Sequence, residues 1–408
     1  MFQIESNFFT VYLGDEWKAM RALVTPIFTS GRMKTMVPIM NKICEDLKTF
    51  SGELAKESHE IDTKELFSSA AFEIIMSTGF GVDVNAWNDK DNIFKKMAWT
   101  YLGYIGDTKK LMIKFILAFF FPQITAKLKI RVFDEESEDF LANVMKQTLE
   151  QRRSGNAPKR NDLVDLFIQA MENAETVEDA SGSNSTAAIL AKMSDEKKEI
   201  AIVSQALIIF LAGFDTTSTA LSLTFHFLAT NLDCQDKLLE EINAAVDDND
   251  GKEDLTYDQI TKLEYTEAVL HESMRLYNFV GALERLCTKD YPIPDMNYTI
   301  PKGMIVQVAN FQNDDEFFSN ANKFNPENFL EESKQNRSPY AYSTFGHGPR
   351  NCVGMRFALM QMKLILVHMV RNFKILECKK TPKELDPDPM HTSQLPKGGL
   401  WVKLEARV

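Results

Sequence analysis

Basic residues are in the minority in this sequence, and this limits the partners it can have. The chain carries 46 Lys and Arg residues against 58 Asp and Glu residues, a formal net charge of −12. General binding to nucleic acid needs a basic face that releases counterions from phosphate, so the composition argues against it. We therefore predict no nucleic-acid partner.

Cysteine is scarce as well, and its spacing argues against two classes of small protein. The five cysteines lie far apart without any Cys-x-x-Cys pair, so neither a zinc ribbon nor a secreted disulfide framework is indicated. A reducing compartment, such as the cytosol or a surface that faces it, fits this pattern better. Internal repeats are also absent, and a chain of 408 residues with 44% hydrophobic content predicts one folded domain over residues 1–408.

Long apolar runs are few, and neither of the two that occur is typical of a membrane span. The run Leu111–Phe121 is too short to cross a bilayer core of about 30 Å, which leaves embedding in a membrane interface and ordinary packing as equal alternatives. The run Val203–Leu232 has a cluster of acid and hydroxyl side chains at its midpoint, residues 215–219. Because that cluster is unfavourable in lipid, we predict a long helix buried inside the protein, with a polar kink at its centre.

Apolar residues recur at helical spacing along most of the chain, so helices are expected to dominate. The predicted helical segments are Trp17–Phe28, Met33–Leu54, Leu66–Ser77, Phe133–Glu150, Leu163–Met171, Ile200–Val246, Tyr257–Tyr277 and Met355–Phe373. Strand signals are confined to Glu284–Ala309, Phe373–Cys378 and Leu400–Leu404. The predicted fold class is mainly α, a helical body with a long central helix and small β-sheets at one edge.

The segment that bears most directly on function is a loop rich in glycine and proline that ends in one cysteine before a helix. It reads Phe345-Gly-His-Gly-Pro-Arg-Asn-Cys352-Val-Gly. Gly348 and Gly354 would let the backbone approach a flat cofactor, and N–H groups at the start of the next helix would stabilise a thiolate. Taken alone, a single cysteine is more often a small buried hydrophobe than a metal ligand.

This loop resembles the signature of the cytochrome P-450 family, Phe-x-x-Gly-x-Arg-x-Cys-x-Gly, and the resemblance continues from about Gly14 to the C-terminus. It implies the cytochrome P-450 fold, haem b as the cofactor, and Cys352 as the axial thiolate that favours O–O cleavage. It also implies that Phe345 packs beside the sulfur and that Arg350 pairs with a haem propionate. Phrases such as Ser-Thr-Gly-Phe-Gly-Val at 77–82 are similar to the animal microsomal type, the clan of vertebrate drug-metabolising and insect detoxifying enzymes.

A second matching segment, Ala-Gly-Phe-Asp-Thr-Thr at 212–217, lies in the middle of the long apolar run. An acid followed by an alcohol, beside a glycine that loosens the helix ladder, is a candidate proton relay. The alternative is a threonine that bonds back to the carbonyl four residues earlier. By resemblance, Thr216 supports oxygen activation, Asp215 feeds protons toward it, and Phe214 faces the substrate.

The remaining site residues are implied by the resemblance alone. Trp17, Arg21 and Arg285 would contact the haem propionates. The two arginines would neutralise these buried carboxylates. The substrate would be contacted by Phe279, Ala282 and Leu283 of the turn Asn278–Leu283, by Phe115–Phe121, and by the tail turn Thr392–Leu395. Glu272 and Arg275 form an i,i+3 ion pair that the family uses as a structural lock, but Asn328 stands where the family adds an arginine, and an asparagine brings no charge.

The resemblance implies an oxidoreductase that acts on paired donors and incorporates molecular oxygen. It would insert one atom of O2 into an apolar organic substrate (a xenobiotic, a steroid or a lipid-like compound), with electrons from NADPH through NADPH-cytochrome P-450 reductase and with cytochrome b5 as a further candidate partner. The expected location is the cytosolic face of the endoplasmic reticulum membrane. The family's anchor, first helices and first strands have no counterpart before Trp17, which predicts an exposed sheet edge. Two alternatives stay open: an inactive truncated haem-binding fragment, and a haem-thiolate isomerase or peroxide-using enzyme that needs no reductase.

Overall fold

Helices dominate the computed structural model, which describes residues 14–57, 60–84, 86–87, 92–128, 130–175, 186–308, 313–335, 337–388 and 394–407. The first helices are α1 (Gly14–Val24), α2 (Ser30–Lys56), α3 (Thr63–Ile75), α4 (Ile93–Tyr101), α5 (Thr108–Phe120), α6 (Pro122–Lys127), α7 (Glu135–Arg153), α8 (Leu163–Glu175) and α9 (Thr186–Ala191). They are followed by α10 (Asp195–Thr230), α11 (Leu232–Asp247), α12 (Tyr257–Ile260), α13 (Glu264–Leu276), α14 (Glu331–Gln335) and α15 (Met355–Asn372). The prediction of a mainly helical body is confirmed.

Several helices begin at side chains that satisfy their first backbone N–H groups. Asp62 accepts hydrogen bonds from the N–H groups at the start of α3, and Ser194 does the same for α10. Thr256 forms a capping box with Gln259 on α12. Because such caps replace hydrogen bonds that a helix end cannot make for itself, each stabilises its helix by about 1 kcal/mol.

The long helix α10 runs through the core and is buried on most of its surface. It packs on α3 through aromatic rings, with Phe67 and Phe225 centroids 4.5 Å apart and Phe72 and Phe210 centroids 5.6 Å apart. Within the described residues, α10 alone is long and apolar enough to cross a membrane, yet 72% of its most apolar window is buried inside the protein. The core position that the polar midpoint predicted is the one observed.

Two details of α10 bear on the prediction. The helix is continuous through residues 213–217, and the kink expected there stays a prediction. The predicted helical segment Ile200–Val246 is divided at Asn231, which has an extended φ of −135° and separates α10 from α11. The Asn231 side chain donates to Phe227 O at 2.8 Å, so it caps a carbonyl at the end of α10.

Three small antiparallel sheets lie in the described part of the chain. The strands are β1 (Ile61–Asp62), β2 (Leu283–Leu286), β3 (Tyr291–Pro292), β4 (Thr299–Ile300), β5 (Ile305–Val308), β6 (Phe373–Leu376) and β7 (Trp401–Ala406), in the orders β1-β7-β6, β2-β5 and β3-β4. All but β1 fall in or overlap the segments where strands were predicted. Leu286 and Ile305, which face each other in the β2–β5 register, are about half exposed, at 49% and 54%.

Candidate functional site

The cysteine loop is shaped by two glycines with left-handed backbone conformations. Gly346 and Gly348 have φ values of +70° and +71°, which other residues adopt only with strain. The Cys352 N–H donates to Phe345 O at 2.8 Å and closes the loop. Cys352 lies three residues before α15, and its side chain is exposed. The loop therefore presents one accessible sulfur on a fixed backbone.

The electrostatic surroundings of this sulfur are mixed. Burial by neighbouring atoms raises the pKa of the Cys352 thiol, although its side chain retains solvent contact, and the Gly354 N–H and the charge of Arg21 act in the opposite direction. Both opposing groups favour the thiolate over the thiol. A bound metal ion would supply the remaining positive charge, because metal coordination deprotonates a thiol.

Arginines gather on one side of the loop. Arg21 donates to Asn351 O at 2.6 Å and to Asn351 Oδ1 at 3.0 Å, and the Arg350 guanidinium lies 4.4 Å from the centroid of the Trp17 ring. Burial and the like charge of Arg285 lower the pKa of Arg350. Because the charges of Arg285 and Arg350 repel each other, these guanidinium groups favour the binding of an anionic ligand, such as a dicarboxylate.

An open stripe interrupts the buried surface of α10. Ala212 and Thr216, one turn apart, are exposed, whereas the flanking residues Leu211 and Thr217 are buried. The helix is joined to α15 by Gln361 Nε2, which donates to Thr217 Oγ1 at 2.9 Å. An accessible sulfur, clustered arginines and an opening in a core helix fit a flat, anionic, iron-containing group such as haem b.

Phe214 does not line this opening. It is fully buried, and its ring lies 5.8 Å from that of Phe72 and 6.0 Å from that of Phe210. The helical rotation that exposes Thr216 turns Phe214 toward α3, and contact of Phe214 with the substrate stays a prediction. Gly213 allows close packing of α10 on α3, since a Cβ at this position would lie 3.3 Å from Ile75 Cδ1.

The candidate relay residues lie on different sides of α10. Thr216 Oγ1 donates to Ala212 O at 2.7 Å, which is the back-bonding alternative weighed from the sequence, and its side chain stays exposed to the opening. Asp215 is buried, and its Oδ1 accepts hydrogen bonds from Lys64 Nζ at 2.7 Å and from Tyr104 OH at 2.6 Å. Sequence reasoning missed Lys64 and Tyr104.

Two of the predicted substrate segments meet in the structure. The Tyr277 hydroxyl donates to Gln394 O, which brings the tail turn beside the turn that contains Phe279, Ala282 and Leu283. Phe279 is buried, Leu283 is partly buried and Ala282 is exposed. Thr392 and Ser393 lie outside the described residues, as do the side chains of Phe115, Phe119 and Phe120.

The ion pair between Glu272 and Arg275 is fully buried. Arg275 donates to both carboxylate oxygens, at 2.7 and 2.8 Å, and Asn328 Nδ2 donates to Glu272 Oε1 at 3.3 Å. No sequence motif pointed to Arg337. Its guanidinium lies 4.3 Å from the Phe318 centroid, and the Glu272 charge partly offsets the lowering of the pKa of Arg337 by burial.

Comparisons with known proteins agree with this geometry. The family model described as Cytochrome P450 matches residues 2–402. The chain is 35% identical over 381 residues to cytochrome P450 3A31 of Mesocricetus auratus, covering 93% of this chain and 71% of that protein. It is 35% identical over 370 residues to cytochrome P450 3A6 of Oryctolagus cuniculus, covering 90% and 70%. It is 30% identical over 412 residues to cytochrome P450 9e2 of Blattella germanica, covering 97% and 75%.

Proposed function

The chain belongs to the cytochrome P450 family of haem-thiolate monooxygenases, and from that premise we propose that it inserts one oxygen atom into an apolar organic substrate. The substrate class is a xenobiotic, a steroid or a lipid-like compound. The electrons come from NADPH through a flavoprotein reductase, with cytochrome b5 as a further candidate donor. The observation that carries the proposal is the accessible Cys352 sulfur with its Gly354 hydrogen bond, in a chain whose long core helix α10 also has an open stripe.

The residues around the opening have different proposed roles in binding the cofactor, oxygen and the substrate. Haem b supplies the reductive activation of O2 when it is bound. Cys352 would supply the thiolate ligand, Phe345 would pack beside its loop, and Trp17, Arg21, Arg285 and Arg350 would hold the carboxylates of the haem by charge and stacking. The Thr216 hydroxyl lies on the exposed stripe, where it orients O2 and passes protons. Ala282 and Leu283 border the substrate side, and the buried Phe279 supports their turn.

The first test is the difference spectrum of the reduced protein with carbon monoxide. We expect the long-wavelength Soret band of thiolate ligation in the wild-type protein and its loss in Cys352→Ala. Cys287→Ala is the matched control, since Cys287 is a free, partly exposed cysteine outside the site. A band that survives in Cys352→Ala, or no band in a wild-type protein supplied with haem, would contradict the proposal.

Turnover distinguishes this function from the alternatives. The reductase-coupled enzyme forms product only with NADPH and O2. An isomerase, or a peroxide-using enzyme, forms product without NADPH, and an inactive haem-binding fragment forms none. Product formation with and without NADPH therefore separates the three.

The proposed location is the cytosolic face of the endoplasmic reticulum membrane. Contact with the membrane surface is supported by α5 and α6, where Ile113, Ile116 and Ile124 are 59%, 49% and 53% exposed. Apolar side chains this exposed, on neighbouring helices, suit the interfacial region of a bilayer.

A further inference from the structure

A buried lysine and a tyrosine hold the carboxylate of the candidate relay. Lys64 Nζ lies 2.7 Å from Asp215 Oδ1, 3.0 Å from Asp215 O, and 2.8 Å from both Ser218 Oγ and Thr219 Oγ1. The side chains of Lys64 and Asp215 are only 8% and 9% exposed. A buried ammonium group needs such a set of oxygen acceptors, because an unpaired buried charge is strongly unfavourable.

This contact lies on the flank of α10 that faces α3. Consecutive residues of a helix point about 100° apart, so Asp215 and Thr216 project in different directions. Thr216 projects into the opening, whereas Asp215 projects toward Lys64 on α3. The carboxylate is therefore close to the threonine in sequence but is held by partners that no part of the 212–217 motif contains.

Tyr104 also binds this carboxylate, and it lies next to an exposed segment of the chain. Its hydroxyl donates to Asp215 Oδ1 at 2.6 Å, and Lys64 Nζ lies 5.2 Å from its ring centroid. Tyr104 is partly buried and precedes Ile105–Asp107, which are exposed, in the connection between α4 and α5. A hydroxyl in this position both donates and accepts hydrogen bonds, so it suits the relay of protons between solvent and a buried acid.

The electrostatics of the pair favour a charged carboxylate. Burial lowers the pKa of Lys64, and the charge and hydrogen bond of Asp215 oppose that change. Removal of the ammonium would leave Asp215 desolvated without its cation, and desolvation favours the protonated, neutral acid. A neutral acid at this position accepts no proton from Tyr104, which would interrupt the relay.

We propose that Lys64 and Tyr104 are positioning residues for proton supply: Lys64 keeps Asp215 a carboxylate on the α3 flank, and Tyr104 connects it to solvent. The inference rests on the proposed monooxygenase function. In that reaction RH, O2, NADPH and H⁺ give ROH, NADP⁺ and H2O, so one oxygen atom enters the C–H bond. The other leaves as water after it takes up two electrons and two protons. Those protons reach α10 through the cluster of Tyr104, Asp215 and Lys64.

The test compares two oxidants, because only one of them needs protons from the protein. With NADPH and the reductase, failed proton delivery diverts electrons to hydrogen peroxide or superoxide and away from product. Iodosylbenzene donates a single oxygen atom and needs no proton delivery. The variants are Lys64→Met, Lys64→Arg and Tyr104→Phe, assayed on an apolar probe that the wild-type protein oxidises with both oxidants, 7-ethoxycoumarin being the first choice.

We expect Lys64→Met and Tyr104→Phe to lower the fraction of NADPH recovered as product by about a hundredfold, the lower end of the range for loss of a proton-transfer group. Their solvent deuterium isotope effect should rise, and turnover with iodosylbenzene should stay within about twofold of wild type on the same basis. Lys64→Arg, which keeps the positive charge, should recover most of the coupling. The matched control is Lys95→Met, which removes a lysine that is 15% exposed and bonds Ser69 Oγ of α3 at 2.8 Å.

A merely structural role gives a different pattern. Thermal unfolding and the carbon monoxide spectrum of each variant report whether the fold and the haem site persist. Equal losses with both oxidants, together with a lower unfolding midpoint, would overturn the inference, as would unchanged coupling in both Lys64→Met and Tyr104→Phe. If no apolar probe is oxidised by the wild-type protein with NADPH, reductase and O2, that result would instead contradict the proposed function itself, and the role of the cluster with it.

Discussion

At the scale of single residues, the charge that Asn328 lacks is supplied from elsewhere in the chain. Glu272 and Arg275 are completely buried, with no exposed side-chain area on either partner. Asn328 contributes one hydrogen bond to Glu272, and the charge of Arg337 acts on the same carboxylate. Arg337 also donates to Asn328 O at 2.8 Å, which holds the two residues together. The lock therefore has a second cation despite the asparagine.

We predict that Glu272→Gln costs about 3–5 kcal/mol of unfolding free energy, because it leaves Arg275 buried without its counter-charge. The matched control is Glu327→Gln, which breaks an exposed ion pair with Lys237 whose side chains are 54% and 55% exposed. That change should cost far less, because solvent screens an exposed ion pair. Denaturant unfolding of both variants checks the prediction, and similar costs for the two would show that the buried pair has no special weight.

Residues of the site were predictable where their signal is local. The loop that contains Arg350 and Cys352 could be read directly, since its glycines, proline and cysteine lie within a few residues of one another. Lys64 could not be assigned, because it lies 151 residues from Asp215 and only the packing of α3 on α10 brings them together. The direction of the Phe214 side chain could not be predicted for a related reason: on a mostly apolar helix it depends on what packs against each face.

At the scale of secondary structure elements, α5 and α6 carry exposed apolar surface that the fold leaves uncovered. In addition to Ile113, Ile116 and Ile124, Phe121 and Leu128 are 51% and 65% exposed. Lys109, Lys110 and Lys127 are exposed in the same region. From the sequence, embedding of this segment in a membrane interface and packing inside the protein were equal alternatives. The exposure of these side chains favours embedding in the membrane interface.

We predict that Ile113→Ser together with Ile116→Ser weakens binding to phospholipid vesicles by about tenfold or more, since burial of one isoleucine contributes about 1.5–3 kcal/mol. Flotation with vesicles of phosphatidylcholine and phosphatidylserine measures this change. The control is Ile39→Ser, which alters an isoleucine that is 39% exposed on α2. Unchanged vesicle binding in the double variant would show that α5 does not contact the lipid.

Elements were predictable to the extent that their apolar pattern is long and regular. The segments for α2 and α7 were found because one buried stripe runs along each of them, and α15 was found because its apolar residues recur at helical spacing, although it is buried all round from residue 360 to 370. Helix α4 was missed because it has 9 residues and only two buried side chains, Ala98 and Tyr101. The boundary between α10 and α11 was missed because both sides of Asn231 keep helical spacing, and a single backbone angle decides where the helix ends.

At the scale of the whole molecule, the net charge of −12 makes the few accessible cations near the cysteine loop important for a partner. Lys18 is paired with Asp15 at 3.0 Å and Lys34 with Asp258 at 2.8 Å. Arg356, exposed on α15 four residues after Cys352, is the better candidate for contact with an acidic reductase surface, because of these three cations it is closest to Cys352 in sequence. Contacts of this kind mainly raise the association rate, and salt screens them.

We therefore predict that Arg356→Glu lowers the second-order rate constant for reduction by the NADPH-dependent reductase several-fold at low ionic strength. The difference should shrink at an ionic strength near 1 M, where the screening length falls to about 3 Å. Stopped-flow absorbance in the carbon monoxide-saturated protein measures the rate. Lys237→Glu changes the net charge equally at an exposed lysine of α11. If both variants slow reduction to the same extent, the effect belongs to the overall charge, and Arg356 is not part of a docking surface.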